Sequence, residues 1–336
     1  MTDEQPNPVA IMQLGLAFWG AKALLSAIEL DLFTTLAHGP LTGETLTAEL
    51  GLQARGTIDW LDALVSLGML ERSGDEYANT AATGLFLDRT RPSYVGGMLE
   101  MANAKLYPSW GLLTDALRTG QPQSGAIAGQ DFLAMYQDRG RLKQFMHAMT
   151  GLSMGAALAI AEKFPWDRYR TVIDVGAAEG CVPVQLALRH PLLTGGGFDL
   201  PDAGWVFEEY VACHGLADRL QFYPGDFFTD PLPPADVLIM GHILHDWSLE
   251  EKLALLRKAY RALPDGGAII VYDAVIDDDR RANAFGLLMS VNMLIETQAG
   301  FDYTAADCRS WLTGIGFRDS YVEPLAGPDS MVVGIK

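Results

Sequence analysis

The sequence predicts an α/β protein: a doubly wound, mostly parallel sheet, preceded by a mainly helical part in the order of a winged helix. Three observations carry this. Residues from about 10 to 160 place apolar side chains at helical spacing. From about 170 onward, short β-branched runs alternate with amphipathic stretches, the pattern of strand–helix units. The chain has 336 residues, 49% of them apolar, enough for two domains with their own cores.

In the helical part, "FWGAKALLSAIELDLFTTLA" repeats apolar residues every three or four positions and predicts a buried helix. Thr42 is placed to cap the next helix, with Leu46, Ala48 and Leu50 turned inward. "GTIDWLDALVSLGMLER" predicts a further helix with Ile58, Leu61, Leu64, Val65 and Leu67 on or near one face. "SGDEYANTAA" then reads as the tight turn of a small hairpin. A DNA-reading winged helix needs Lys and Arg on its second helix, and here Arg55 stands beside Asp59 and Asp62. The stretch from Asp131 to Trp166 continues as helix. Its Phe145, Met146 and Met149 recur at helical spacing, as core packing or as the wall of an apolar pocket, which methionine suits.

In the second part, strands are expected at 171–176, 195–200, 220–223, 236–241 and 267–274, with helices at 180–190, 202–214 and 249–262. "SLEE" has the capping-box form, Ser248 as N-cap and Glu251 three residues on.

Composition narrows the function. Lys+Arg number 24 against 42 Asp+Glu, a formal charge of −18, with no basic stripe for nucleic acid. The three cysteines, Cys181, Cys213 and Cys308, lack metal-ligand spacing and fit a reducing cytoplasm. The polar start "MTDEQPNP" is not a secretion signal, and no charge-free run of about 18 apolar residues suggests a membrane span.

The informative motifs cluster at expected strand ends. "VIDVGAAEG" is a strand, a turn and a helix start, with Gly176 and Gly180 in a G-x-x-x-G pattern. A plain tight turn or a close approach to a ligand would both explain it. Asp199 ends the second strand, where a carboxylate accepts ribose hydroxyls. Asp226 and Phe227 follow the third, an acid for the adenine amine and an aromatic for its ring. This is an adenosine site without a phosphate cradle, which suits S-adenosylmethionine (SAM) better than NAD. After the fourth strand comes "GHILHDW". Its His245 and Asp246 fit proton transfer, metal binding or packing; His242 is most simply a turn or core residue.

Taken in order, "VIDVGAAEG", "GFDLP", "GDFF", "HILHDW", "LPDGGAIIVYDAVI" and "GFDYT" resemble the SAM-dependent O-methyltransferases related to plant caffeate and flavonoid enzymes and to bacterial polyketide-tailoring enzymes. The resemblance covers nearly the whole chain. It implies a winged-helix-like dimerisation domain over 1–100, a helical linker and substrate-pocket segment over 101–165, and a Rossmann-like SAM-binding domain over 166–336. It implies cofactor contacts from Asp174, Gly176, Gly180, Asp199, Leu200, Gly225, Asp226, Phe227 and Trp247. His245 would be the catalytic base, oriented by Asp273 and Asp302; Phe145, Met146, Met149, Asn292 and Met293 would line the acceptor pocket. "GAAEG" stands where the family has GGGxG, and Gly241 stands where plant members carry lysine. Both orienting acids are Asp where Glu is usual.

The expected function is therefore methyl transfer from SAM to a hydroxyl of an aromatic or polyketide-like small molecule, by a cytoplasmic homodimer with no resident metal. The alternative is metal-assisted C-methylation of an α-keto acid, using His245, Asp246 and a further histidine.

Overall fold

A computed structural model describes residues 6–91, 93–124 and 136–336. The acidic first five residues and the start of the helix expected from Asp131 lie outside the described residues. The chain divides into two compact units, Met1–Tyr107 and Pro108–Lys336.

The first unit has the expected order of helix, helix and hairpin. Helix Gly43–Glu49 begins at Thr42, whose hydroxyl accepts the Thr45 N–H at 3.2 Å. Helix Ala54–Ser66 follows, with Arg55 and Gly56 outside helical dihedrals. Strands β1 (Leu41–Thr42), β2 (Leu70–Ser73) and β3 (Glu76–Asn79) form a small antiparallel sheet in the order β1-β3-β2. Leu46, Leu61, Leu64, Leu70 and Tyr77 meet in its core with Ile28 and Phe33. Three expected inward residues face out: Ala48 is exposed, and Ile58 and Leu67 are 42% and 47% exposed. The helix stops at Ser66 and "LERS" is strand, so the helical spacing read through Leu67 does not continue.

The helix expected over Phe18–Ala37 is broken: Phe18–Glu29 is helical, Asp31 turns at φ +58°, and Leu32–Thr35 is a short separate helix, while Val9–Leu16 forms a further helix before it. Leu25, Ala27 and Ile28 pack inward, while Phe18 and Trp19 are 51% and 63% exposed. By length and composition Val9–Glu29 is apolar enough to cross a membrane, although Lys22 and Glu29 lie within it.

The second unit is a seven-stranded sheet: β4 (Thr171–Val175), β5 (Thr194–Asp199), β6 (Leu220–Pro224), β7 (Val237–Gly241), β8 (Ala268–Asp273), β9 (Asp319–Pro324) and β10 (Ser330–Ile335). Their order is β6-β5-β4-β7-β8-β10-β9. The first five are parallel, and β10 is antiparallel to β8 and to β9. Val237 to Met240 and Ala268 to Val271 are wholly buried because helices cover both faces. Strand order reverses between β4 and β7, and ligands of such sheets bind in the crevice at the carboxyl ends there.

Helix Leu249–Ala262 carries the expected capping box: the Ser248 hydroxyl accepts the Glu251 N–H, and the Glu251 carboxylate accepts the Ser248 N–H at 2.9 Å.

Candidate active site

The motif residues gather on one rim because each follows a parallel strand. Gly176 follows β4, Asp199 ends β5, Asp226 follows β6, His242 and His245 follow β7, and Asp273 ends β8.

At the switch point the chain turns at Gly176 with φ +77°. A Cβ there would lie 2.3 Å from Ile243 Cδ1, so the β4 and β7 ends meet only through a glycine. Gly180 (φ +91°) lets helix Cys181–Arg189 sit on the Phe207 ring, which a Cβ would approach to 2.6 Å. Between them Ala178 adopts φ +49°, a left-handed conformation that disfavours a side chain. Its N–H donates to Asp199 Oδ2 at 2.9 Å, the Leu200 N–H donates to Oδ1 at 2.7 Å, and the Tyr136 hydroxyl reaches Oδ1 at 3.3 Å. Burial pushes the Asp199 carboxyl up to about 6, against the pull of these donors. Asp174 lies wholly inside, and burial with the charge of Asp199 raises it to about 8. It is therefore held mainly as the neutral acid at pH 7.

Gly225 is buried against the Phe198 ring, and its N–H donates to the Asp199 carbonyl at 2.9 Å. Asp226 is half-buried and accepts the Phe228 N–H at 2.8 Å. Phe227 and Phe228 both present edges to Trp247, with centroids 5.9 and 4.6 Å away. The Trp247 Nε1 is buried without an acceptor among the described residues. An orphaned indole N–H beside two phenyl edges, and a glycine-lined turn beside a buried ribose-type carboxylate, form a donor and acceptor set that fits an adenosine ligand.

His245 is buried at the centre of the rim. Its Nδ1 faces Asp302 Oδ1 at 3.4 Å and Asp273 Oδ1 at 3.9 Å, while Nε2 faces Asp246 Oδ1 at 3.6 Å. Among the described residues, Nδ1, Asp273 Oδ1 and both Asp302 oxygens make no well-aligned hydrogen bond. The other Asp273 oxygen accepts from the Tyr303 hydroxyl. Burial alone would lower the imidazole pKa, but Asp246, Asp273 and Asp302 outweigh it and hold His245 up at about 10. Burial raises Asp273 to about 6, against the pull of His245 and His242. His242 is more than a turn residue: Nδ1 lies 3.7 Å from Asp273 Oδ1 and Nε2 lies 3.6 Å from Asp329 Oδ2. One donor atom each from His242, His245 and Asp273 falls within 4.8 Å, spacing compatible with a shared proton or a cation.

Asn292 and Met293 are buried on helix Ala284–Glu296, and Asn292 Oδ1 accepts the Trp110 indole N–H at 2.8 Å. The same helix offers Ser290, whose hydroxyl accepts the Asp302 N–H at 3.1 Å. Met149 is partly buried on helix Arg139–Lys163. Met146 is wholly buried among Tyr136, Leu142, Ala203 and Val206, with Phe145 against the same cluster. For Met146 the packing explanation is the one the contacts support. Tyr136, Phe228, Tyr303 and Trp110 join the rim and were not singled out from the sequence. Their signal, an aromatic beside a helix or strand end, is too common to mark them.

Residues 110–318 match the family model described as an O-methyltransferase domain, and residues 12–89 match the O-methyltransferase dimerisation domain. This chain belongs to the O-methyltransferase family. The tetracenomycin polyketide synthesis 8-O-methyl transferase TcmO of Streptomyces glaucescens is 44% identical over 98% of this chain and 97% of its own length. The N,N-dimethyltransferase OxyT of Streptomyces rimosus is 36% identical over the full length of both. The crystal structure of human N-acetylserotonin methyltransferase with SAM superposes with a TM-score of 0.90 at 29% identity, covering 100% of this chain and 99% of that one. The protein is a SAM-dependent O-methyltransferase.

Proposed function

We propose that this O-methyltransferase methylates a hydroxyl of an aromatic, polyketide-like acceptor and that His245 is its general base. The observation that carries the reading is the buried imidazole at the sheet rim, its Nδ1 side turned to Asp302 and Asp273. SAM, when bound, supplies a methyl group on a positively charged sulfur. Asp199, Asp226, Phe227 and Trp247 would hold its adenosine part, and the turn at Gly176 its methionine part.

The chain's own work is alignment and proton removal. Holding acceptor oxygen and methyl carbon in line contributes several kcal/mol through proximity. The acceptor hydroxyl passes its proton to the neutral form of His245 at Nε2, and its oxygen keeps the O–H electron pair; that pair would form the new O–CH₃ bond as the S–CH₃ bond breaks, whose pair would stay on the sulfur of the departing neutral thioether. Asp302 and Asp273 take the charge of the imidazolium and fix the Nδ1 proton on their side. An ordinary imidazole, titrating near 6.5, is the simple expectation for such a base. The three surrounding carboxylates change this: at about 10, the base matches a phenol, also near 10. Proton transfer between matched groups is close to balanced, and the resting imidazole holds a proton at neutral pH. The rate should therefore rise with pH through the neutral range.

The N-terminal unit, matched as a dimerisation domain, supports a homodimer. The division into 1–100, 101–165 and 166–336 remains our functional partition. The test is incubation with SAM and a panel of hydroxylated polyketide aromatics, amines and α-keto acids, read by mass spectrometry and NMR. A new O–CH₃ on a phenol is the expected product. Methylation confined to nitrogen, or to carbon with bound metal, would overturn the reading.

A further inference from the structure

Lys252 lies four residues past the N-cap Ser248 of helix Leu249–Ala262 and is wholly buried. Lysine is almost never fully buried without a compensating partner. A cation near a helix N-terminus also opposes the macrodipole. Two unfavourable terms at one residue call for something the charge does.

Its surroundings supply that. The ammonium donates to the Trp247 carbonyl at 2.5 Å, two residues from His245. It sits 3.5 Å from the Phe301 ring centroid and 5.9 Å from that of Tyr303, so it lies against both neighbours of Asp302. Tyr303 in turn donates to Asp273. Loop and turn are in direct contact: a Cβ on Gly300 would come within 2.6 Å of the His245 carbonyl oxygen and 2.7 Å of that of Asp246. Burial lowers the lysine to about 8, opposed by Asp273, Asp302, Asp246 and Glu251, so it is mostly charged at neutral pH.

We propose that Lys252 is a positioning residue: it ties the turn bearing His245 to the loop bearing Asp302, and its charge limits how tightly the carboxylates hold a proton on the imidazole. This rests on the reading of His245 as base. Asp246, Asp273 and Asp302 face the imidazole. His242 and Tyr303 face Asp273, Asp329 faces His242, and Glu251 and the three acids face Lys252. Within this group a cation beside the acids weakens their pull on the His245 proton. Its loss strengthens that pull.

The experiment is a ¹⁵N-histidine NMR titration of His245 in the full-length protein, with Lys252→Met, Lys252→Gln and Lys252→Arg. The two neutral variants should raise the midpoint by about half to one pH unit, and the arginine variant should keep it. The acid limb of kcat should move with it. Thermal unfolding identifies which variants fold. The wild-type protein needs no substitution: neutralising Lys252 should bend the His245 resonance a second time near pH 8. An unchanged midpoint in folded neutral variants, an equal shift in the arginine variant, or no second inflection would overturn the proposal. The base reading fails separately, through full activity of His245→Gln, a result that does not bear on the His245 midpoints read in the Lys252 series.

Discussion

Replacing Asp302 with asparagine removes the carboxylate nearest to His245 Nδ1 while keeping size and one acceptor oxygen. Two unit charges 3.4 Å apart interact by about 5 kcal/mol at an effective dielectric of about 20. Relaxation and competing charges reduce this, and opposite charges at such range shift a pKa by roughly 1–3 units. The His245 midpoint should therefore fall from about 10 by roughly 1–3 units, followed by ¹⁵N NMR in the ligand-free protein. The sign follows for stability too. A raised histidine pKa stabilises the fold fully below about 6.5 and loses this as pH rises through about 10. Asp302→Asn should thus lower stability most at acid and neutral pH and least above pH 10. Activity should rise to its plateau at lower pH than in the wild type. A midpoint unchanged within experimental error would refute the idea that Asp302 governs this imidazole.

Two other outcomes follow from the cofactor rim. Ala178→Gly relieves a left-handed φ and should stabilise the protein by up to about 1 kcal/mol, less the entropy glycine adds to the unfolded chain; calorimetric unfolding measures it, and a loss of stability would contradict the strain. Asp199→Asn leaves one acceptor oxygen for the N–H groups of Ala178 and Leu200 and should weaken SAM binding by roughly ten- to a hundredfold. Because Asp199 titrates near 6, wild-type affinity should also fall as pH drops through that value, by isothermal calorimetry. Affinity independent of pH between 5 and 7 would count against the carboxylate.

Much of this was legible in the sequence because parallel strands are buried on both faces. Such strands stand out as β-branched runs, and β4, β7 and β8 fell within a residue of their expected bounds. The caps at Thr42 and Ser248 were legible because they are local. The antiparallel pair β9 and β10 was not anticipated. β9 is an edge strand in which Val322 is the lone β-branched residue, and Asp319, Tyr321 and Glu323 share one face, so no buried run marks it. The pairing of Asp273 and Asp302 about His245 was reached only through the resemblance, since the 28 positions between the two acids carry no mark of contact. Long-range electrostatics were invisible altogether. Nothing in "HDWSLEEK" shows that Lys252 is buried, or that three acids hold His245 near 10.

The most direct test of the account is the single-turnover rate of His245→Gln, with SAM already bound and a hydroxylated aromatic acceptor in excess. SAM affinity, measured on the same preparation, should be unchanged, while methyl transfer should slow by about 10²–10⁴-fold. A variant that binds SAM normally and transfers methyl at the wild-type rate would contradict it.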